Sequence, residues 1–190
     1  RAGDMVNFSI GQGDTLMTPL QLAVAYSALA NGGKLMVPKV AKAIVEPSGR
    51  VVKEFKPEIS GRLPIEKSTL KFLRNSLRAV VTSGTATGAF SGVGVEVSGK
   101  TGTGQVFGRN LDGSSKDDTS WFASFAPSKK PEYAVVMMVS QGGFGASTSG
   151  VGVRKIYEHI FGTNGRVAIF PNGNPKKLPR IDSSKAELLP

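Results

Sequence analysis

The sequence predicts a mixed α and β fold in which an antiparallel sheet is sandwiched between helices. Residues 121–126 and 133–140 are two apolar stretches joined by Pro127-Ser128-Lys129-Lys130-Pro131, which reads as a turn between strands. The run Ala134-Val135-Val136-Met137-Met138-Val139 is apolar on both faces, which implies a strand covered by helices on each side. Helical spacing of Leu70, Leu73, Leu77, Val80 and Val81 within 64–82, and of Val153, Ile156, Tyr157, Ile160 and Phe161 ahead of Gly162, supplies helices.

Taken in order, 1–15 reads as a segment entering mid-domain, with Gly11 and Gly13 making a tight turn. Thr18 is a good N-cap, Pro19 fits the first helical position and Gln21 completes a capping box. That helix runs to Ala30 and stops at Asn31-Gly32-Gly33. Leu20, Leu22, Val24, Tyr26 and Leu29 leave it little polar face, so it is expected to be buried. Residues 35–45 and 50–55 read as two strands joined by Glu46-Pro47-Ser48-Gly49, a peripheral hairpin. The helix 64–82 carries Lys67, Lys71, Arg74 and Arg78 on its surface and is broken by 83–88. Residues 106–119 form a long polar loop at the mouth of a cleft, with Phe107 packing on its own loop. A glycine-rich link, 142–150, leads to the last helix.

The chain has 190 residues, 39% of them hydrophobic, enough for one domain with a real core. That domain is expected over 1–162. Residues 163–190 change character, with Pro171, Pro175, Pro179 and Pro190 among Gly, Asn, Lys and Arg, and read as a basic extended tail. Cysteine is absent, which excludes disulfides and thiol chemistry. His159 is the only histidine, so neither a zinc site nor a Ser-His-Asp triad is expected, and no metal or cofactor is predicted. No apolar run is long enough to span a membrane. A net charge of +10 suits an anionic partner, whether nucleic acid, acidic lipid or cell-wall polymer, or a solvated basic surface.

The chemistry concentrates in 93–105. Val93, Val95 and Val97 alternate with the period of a strand, which then runs into Ser98-Gly99-Lys100-Thr101-Gly102-Thr103-Gly104. Glycine within a strand marks a place where another backbone or a ligand comes close. A lysine and two threonines beside bare N–H groups suit a carboxylate or a developing oxyanion. Gly94, Gly99, Lys100 and Thr101 also match the phosphate-loop pattern G-x-x-x-x-G-K-[ST]. That reading needs a helix beginning at Thr101, for which Thr101-Gly102-Thr103-Gly104 is a poor start.

Lys100-Thr101-Gly102 is also the K-T-G element of penicillin-binding proteins and serine β-lactamases. Together with Trp121-Phe122-Ala123-Ser124-Phe125-Ala126-Pro127, Gly11-Gln12-Gly13 and Thr18-Pro19-Leu20-Gln21-Leu22-Ala23, it resembles a penicillin-binding transpeptidase of the monofunctional, class B type. The resemblance covers roughly 1–162 and only the C-terminal part of that family's domain. It implies a β-lactamase/transpeptidase-like fold, incomplete in this chain, working at the extracytoplasmic side of a bacterial membrane and anchored through a segment outside this chain. It implies serine acyl transfer from peptidoglycan stem peptides ending in D-Ala-D-Ala, with β-lactam antibiotics entering as mimics. Carried over by position, Lys100 supplies positive potential, Thr101 and Thr103 hold the terminal carboxylate, and the N–H of Thr103 forms half the oxyanion hole. Gly102 and Gly104 keep the strand bare for a substrate lying antiparallel to it.

The departures are as informative. Ser68-Thr69-Leu70-Lys71 is the only S-x-x-K, the family's nucleophile motif, but it opens an amphipathic surface helix and lies close before the K-T-G. No S-x-N occurs at all. The expected partner is therefore the N-terminal half of the same transpeptidase domain, carrying the nucleophile. Two other readings stay open: a phosphate-loop nucleotide hydrolase, and a basic non-catalytic module binding nucleic acid or wall polymer, with no cleft beside Lys100.

Overall fold

The apolar run 134–139 lies at the outer edge of a three-stranded antiparallel sheet around which the chain is layered. A computed structural model describes residues 2–13 and 16–164. The first helix, α1, is Ala2–Ser9. A turn with Gly11 at φ 76° and Gly13 at φ 79° follows, the left-handed region that glycine adopts without strain. Helix α2, Pro19–Ala30, has the full capping box: the Thr18 hydroxyl accepts from Gln21 N at 3.2 Å, and Thr18 N donates to Gln21 Oε1 at 2.8 Å. It ends at Asn31, with Gly32 and Gly33 at positive φ.

Four short strands come next. β1 (Lys34–Met36) pairs antiparallel with β4 (Ile59–Arg62), and β2 (Ala43–Val45) with β3 (Val51–Glu54). Helix α3, Lys67–Thr82, and the short helix α4, Thr87–Phe90, lead into the central sheet of β5 (Ser98–Gly104), β6 (Thr119–Ala126) and β7 (Tyr133–Val139), in that order. A π-helical turn, Ala146–Gly150, opens directly into α5, Val151–Phe161, which Gly162 closes at φ 63°.

Alternation along β6 assigns the two faces. Phe122 and Ala126 turn inward with Val97, Phe90, Val153 and Tyr157 into one buried cluster under α4 and α5. The Phe90 and Phe122 rings stack at 5.1 Å, and Ser124 Oγ meets Tyr157 OH at 3.0 Å. Ala123 and Phe125, also buried, face the other way. There the Arg74 guanidinium lies 5.8 Å from the Phe125 ring, and Leu22 of α2 lines a cleft with Trp121 and Met138. Helix α3 passes the start of β5: Arg78 Nη1 donates to Val97 O at 2.9 Å, and Val81 enters the core. The sheet thus lies between helices, as its two-sided apolar pattern predicts.

Five local expectations are corrected. The stretch before Gly11 is helical over Ala2–Ser9, with Gly3 confined to the first turn and the next glycine at Gly11. The strand expected over 35–45 is two strands, divided around Pro38, which has no N–H to give a ladder. Its first piece pairs with β4, a strand the sequence reading passed over. The alternating valines 93–97 are not strand; β5 begins at Ser98, and Val93, Val95 and Val97 are anchored in the core instead. Only Ala28 of α2 is fully buried, and Leu20 remains 58% exposed. The expected tail 163–190 lies, from residue 165 on, outside the described residues.

Two outcomes follow from this packing. A Cβ at Gly99 would stand 2.7 Å from the Ala123 carbonyl and 2.8 Å from Phe122 Cζ. Gly99→Ala should therefore destabilise the fold by ~1–3 kcal/mol, read as a lowered midpoint in thermal unfolding. Burial pushes the Tyr26 phenol up to about 12. The folded state then keeps a proton that the unfolded chain releases near 10, so stability falls as pH climbs from 10 toward 12. Tyr26→Phe should flatten that loss in denaturant titrations across the same window.

Candidate active site

The register of β5 on β6 fixes which way each side chain of 98–104 leaves the strand. Thr101 is opposite Phe122 and Thr103 opposite Ser120, so both threonines emerge on the α5 side. Lys100 is opposite Ala123 and Gly102 opposite Trp121, on the α2 side. Strict alternation therefore separates the lysine from the two hydroxyls. The separation is bridged because β5 is the end of its sheet. The Lys100 side chain folds around the free edge, and its ammonium donates to Thr101 O at 2.9 Å and to Thr101 Oγ1 at 3.4 Å. The cation and the first hydroxyl meet at the rim.

The backbone of that rim can be assigned. In an antiparallel pair, successive residues turn their N–H and C=O alternately toward the partner strand and away from it. Val97 O accepts from Arg78, Thr101 O from Lys100 and Thr103 O from Gln12 Nε2 at 2.9 Å, so the odd-numbered residues face outward. The N–H of Thr103 then points to the open edge.

Two residues to which the sequence reading gave no role hold this segment. The Gln12 carboxamide also accepts from Gln105 N at 3.4 Å, bridging Thr103 and Gln105. Its signal was a lone amide between two turn glycines. Thr85, in the break after α3, places its hydroxyl 2.9 Å from that of Thr101. A threonine in a helix break gives no hint of that contact. From the α5 side, Gly145 N donates to Thr103 Oγ1 at 3.4 Å. A Cβ at Gly145 would collide with the Gly102 backbone and come within 2.7 Å of Trp121 O, so glycine is what lets the 142–150 link lie on the strand. Gly102 is bare for a related reason: its Cβ would stand 3.1 Å from that of Trp121.

A cleft of about 610 Å³ opens beside the segment, lined by Gln12, Gly102, Thr103, Gly104, Gln105 and Trp121 among others. Lys100 is not in its wall. At its mouth the loop after β5 is tied back by Asp118, whose Oδ1 accepts from Val106 N at 3.2 Å. Phe107 does not pack on that loop as expected; it is 88% exposed.

Ser68 and Lys71 are elsewhere. Ser68 is the second residue of α3, exposed, and its hydroxyl donates to Glu66 Oε2 at 3.1 Å. Lys71 lines a separate groove with Arg74, Arg78, Ser98 and Ser128. The phosphate-loop reading is also corrected: Lys100 and Thr101 lie inside a strand that continues to Gly104, where that motif requires a helix to begin. Among the described residues, no helix is long and apolar enough to cross a membrane.

Residues 2–160 match the family model of the penicillin binding protein transpeptidase domain. The chain belongs to that family. Within it, this transpeptidase segment is 33% identical over 149 residues to penicillin-binding protein 2A of Bacillus subtilis, covering 73% of the chain and 20% of the relative. It is 31% identical over 171 residues to the peptidoglycan D,D-transpeptidase MrdA of Haemophilus influenzae, covering 83% and 26%. Among solved structures it resembles penicillin-binding protein A of M. tuberculosis in an imipenem acyl-enzyme complex, with a TM-score of 0.65 and 25% identity over 80% of the chain and 32% of that protein. The chain thus spans about a fifth to a quarter of the length of these curated relatives.

In this transpeptidase segment Thr85→Val removes the only side-chain hydroxyl described against that of Thr101. Because the pair is exposed, folding stability should move by no more than about 0.5 kcal/mol. The Thr101 side chain should instead spread over its rotamers, read as averaged three-bond couplings by NMR.

Proposed function

We propose that this chain supplies the K-T-G wall of a D,D-transpeptidase, a serine-type enzyme that cross-links peptidoglycan. The observation that carries the reading is the open edge of β5, where the Lys100 ammonium meets the Thr101 hydroxyl and the outward Thr103 N–H borders a cleft. In the reaction, a serine hydroxyl attacks the carbonyl of the penultimate D-Ala and gives up its proton to a base. The bond to the terminal D-Ala breaks, and that D-Ala leaves carrying a proton. An amine of a neighbouring stem then attacks the acyl ester and frees the serine. β-Lactams acylate the same serine.

In this reading Lys100 raises the positive potential at the rim, where both the substrate carboxylate and the oxyanion carry negative charge. The Thr101 and Thr103 hydroxyls hold the terminal carboxylate, Thr103 N–H donates to the oxyanion, and Gly102 and Gly104 let an extended peptide approach. The serine itself is supplied from outside these 190 residues, since Ser68 is exposed, tied to Glu66 on α3 and not in the wall of the cleft beside Thr103. The partner is the remaining half of the same transpeptidase domain, on the extracytoplasmic side of a bacterial membrane and anchored outside this chain. Residues 1–162 belong to that domain and 163–190 to a basic tail.

Fluorescent penicillin, offered to this chain alone and then with the complementary half, tests the reading on a denaturing gel. Covalent label on the complementary half, and only in the mixture, is expected. Label on this chain would place the nucleophile here after all, and no label in either case would remove the acyl-transfer reading. In the intact enzyme, Thr103→Pro deletes an N–H that faces the edge and not β6, so the ladder survives. Relative to Thr103→Val, which removes only the hydroxyl, acylation should fall by a further roughly 10²–10³-fold, the usual loss of one oxyanion-hole donor.

A further inference from the structure

Resting on the transpeptidase reading, we propose that Gln12 is a specificity-determining residue, an internal stand-in for the amide of the acyl-donating residue. The case is one of ladder geometry. A peptide laid antiparallel along the open edge of β5 exchanges two hydrogen bonds with the residue it faces. With its reacting carbonyl at Thr103 N–H, the N–H of that same residue arrives at Thr103 O. That acceptor is already taken: Gln12 Nε2 donates to it at 2.9 Å. The other end of the carboxamide accepts from Gln105 N at 3.4 Å, so one side chain meets two successive outward groups that an antiparallel ligand would meet with two residues.

Direction decides what Gln12 meets. In an antiparallel ligand the carboxylate end lies toward Thr101 and the upstream stem toward Gln105. Gln12 therefore occupies the stem side of the acyl carbon, and the ligand's N–H competes with Nε2 for Thr103 O. The Gly11 and Gly13 backbone, at φ 76° and 79°, forms the turn from which the carboxamide projects, and Gln12 reaches the same cleft as Thr103 and Gln105. A ligand with an N–H beside its acyl carbon must displace or share with Gln12; a ligand without one leaves Gln12 in place.

Two β-lactams separate the cases. Penicillin G carries an acylamino N–H next to its lactam carbonyl, and imipenem carries a hydroxyethyl group there. The quantity to measure is the ratio of their acylation constants on the intact transpeptidase, resolved by stopped flow into initial binding and acylation. In Gln12→Ala the ratio of penicillin G to imipenem should rise roughly two- to ten-fold, the change expected on removing one competing neutral hydrogen bond, and the gain should lie in initial binding. Gln12→Met, close to Gln in volume and without the amide, should show the same shift and guards against a fold lost through the smaller side chain. An unchanged ratio, or equal slowing of both ligands, would mean that Gln12 only props the strand and would overturn the inference. A wild type acylated by neither ligand would overturn the transpeptidase reading, and this inference with it.

Discussion

A sheet that ends at β5 must satisfy a row of backbone groups that no strand pairs, and the rest of this structure is arranged around that obligation. An unpaired edge invites another chain unless it is covered. Here it is covered by side chains drawn from three places. Arg78 of α3 takes Val97 O, Lys100 takes Thr101 O from within the strand, and Gln12 takes Thr103 O with Gln105 N. Each partner is a single side chain and not a ladder. A side-chain hydrogen bond of this kind contributes about 0.5–1.5 kcal/mol and is readily exchanged for a ligand's. An edge held this way stays available to an extended peptide.

Both faces of β5 are held by close approach. Glycine at 99, 102 and 145 removes side chains that would strike Ala123 O, Trp121 Cβ and the Gly102 backbone, respectively. Buried hydroxyls then join the layers. Ser120 and Ser149 exchange hydrogen bonds at 2.9–3.1 Å, which fastens the π-helical turn to β6, and Ser124 meets Tyr157 across to α5. Both serines of the first pair are wholly buried, so each bond is made in a low-dielectric interior where an unmet partner would be costly. The strand is therefore fixed across its faces and open at its rim.

How much of this was legible in the sequence depends on whether the signal was local. The capping box of Thr18 and Gln21, the span of α3, the pair β6 and β7 and the closure of α5 at Gly162 all follow from chemistry within a few residues, and all are present. The misreadings involve partners distant in sequence. Val93, Val95 and Val97 alternate because irregular backbone carries them into the core, not because they pair, and periodicity cannot tell the two apart. β4 exists only through β1, about 25 residues earlier. The roles of Gln12 and Thr85 depend on contacts 93 and 16 residues away, respectively.

The same letters at 94–101 spell a phosphate loop, and the backbone decides against it. A phosphate is cradled by consecutive N–H groups that converge on one point. A strand presents only every second N–H on a given side. Along β5 the outward groups belong to Val97, Thr101, Thr103 and Gln105, spaced to meet the alternate groups of another extended chain. Glycine serves that geometry as well as it serves a loop, because it lets a second backbone come within hydrogen-bonding distance. What distinguishes the two is whether 98–104 pairs with a neighbour, and Ser98 to Gly104 pair residue by residue with Phe125 to Thr119. The chemistry of the lysine and threonines is thus set by β6, a strand that carries neither the lysine nor the threonines of the K-T-G segment.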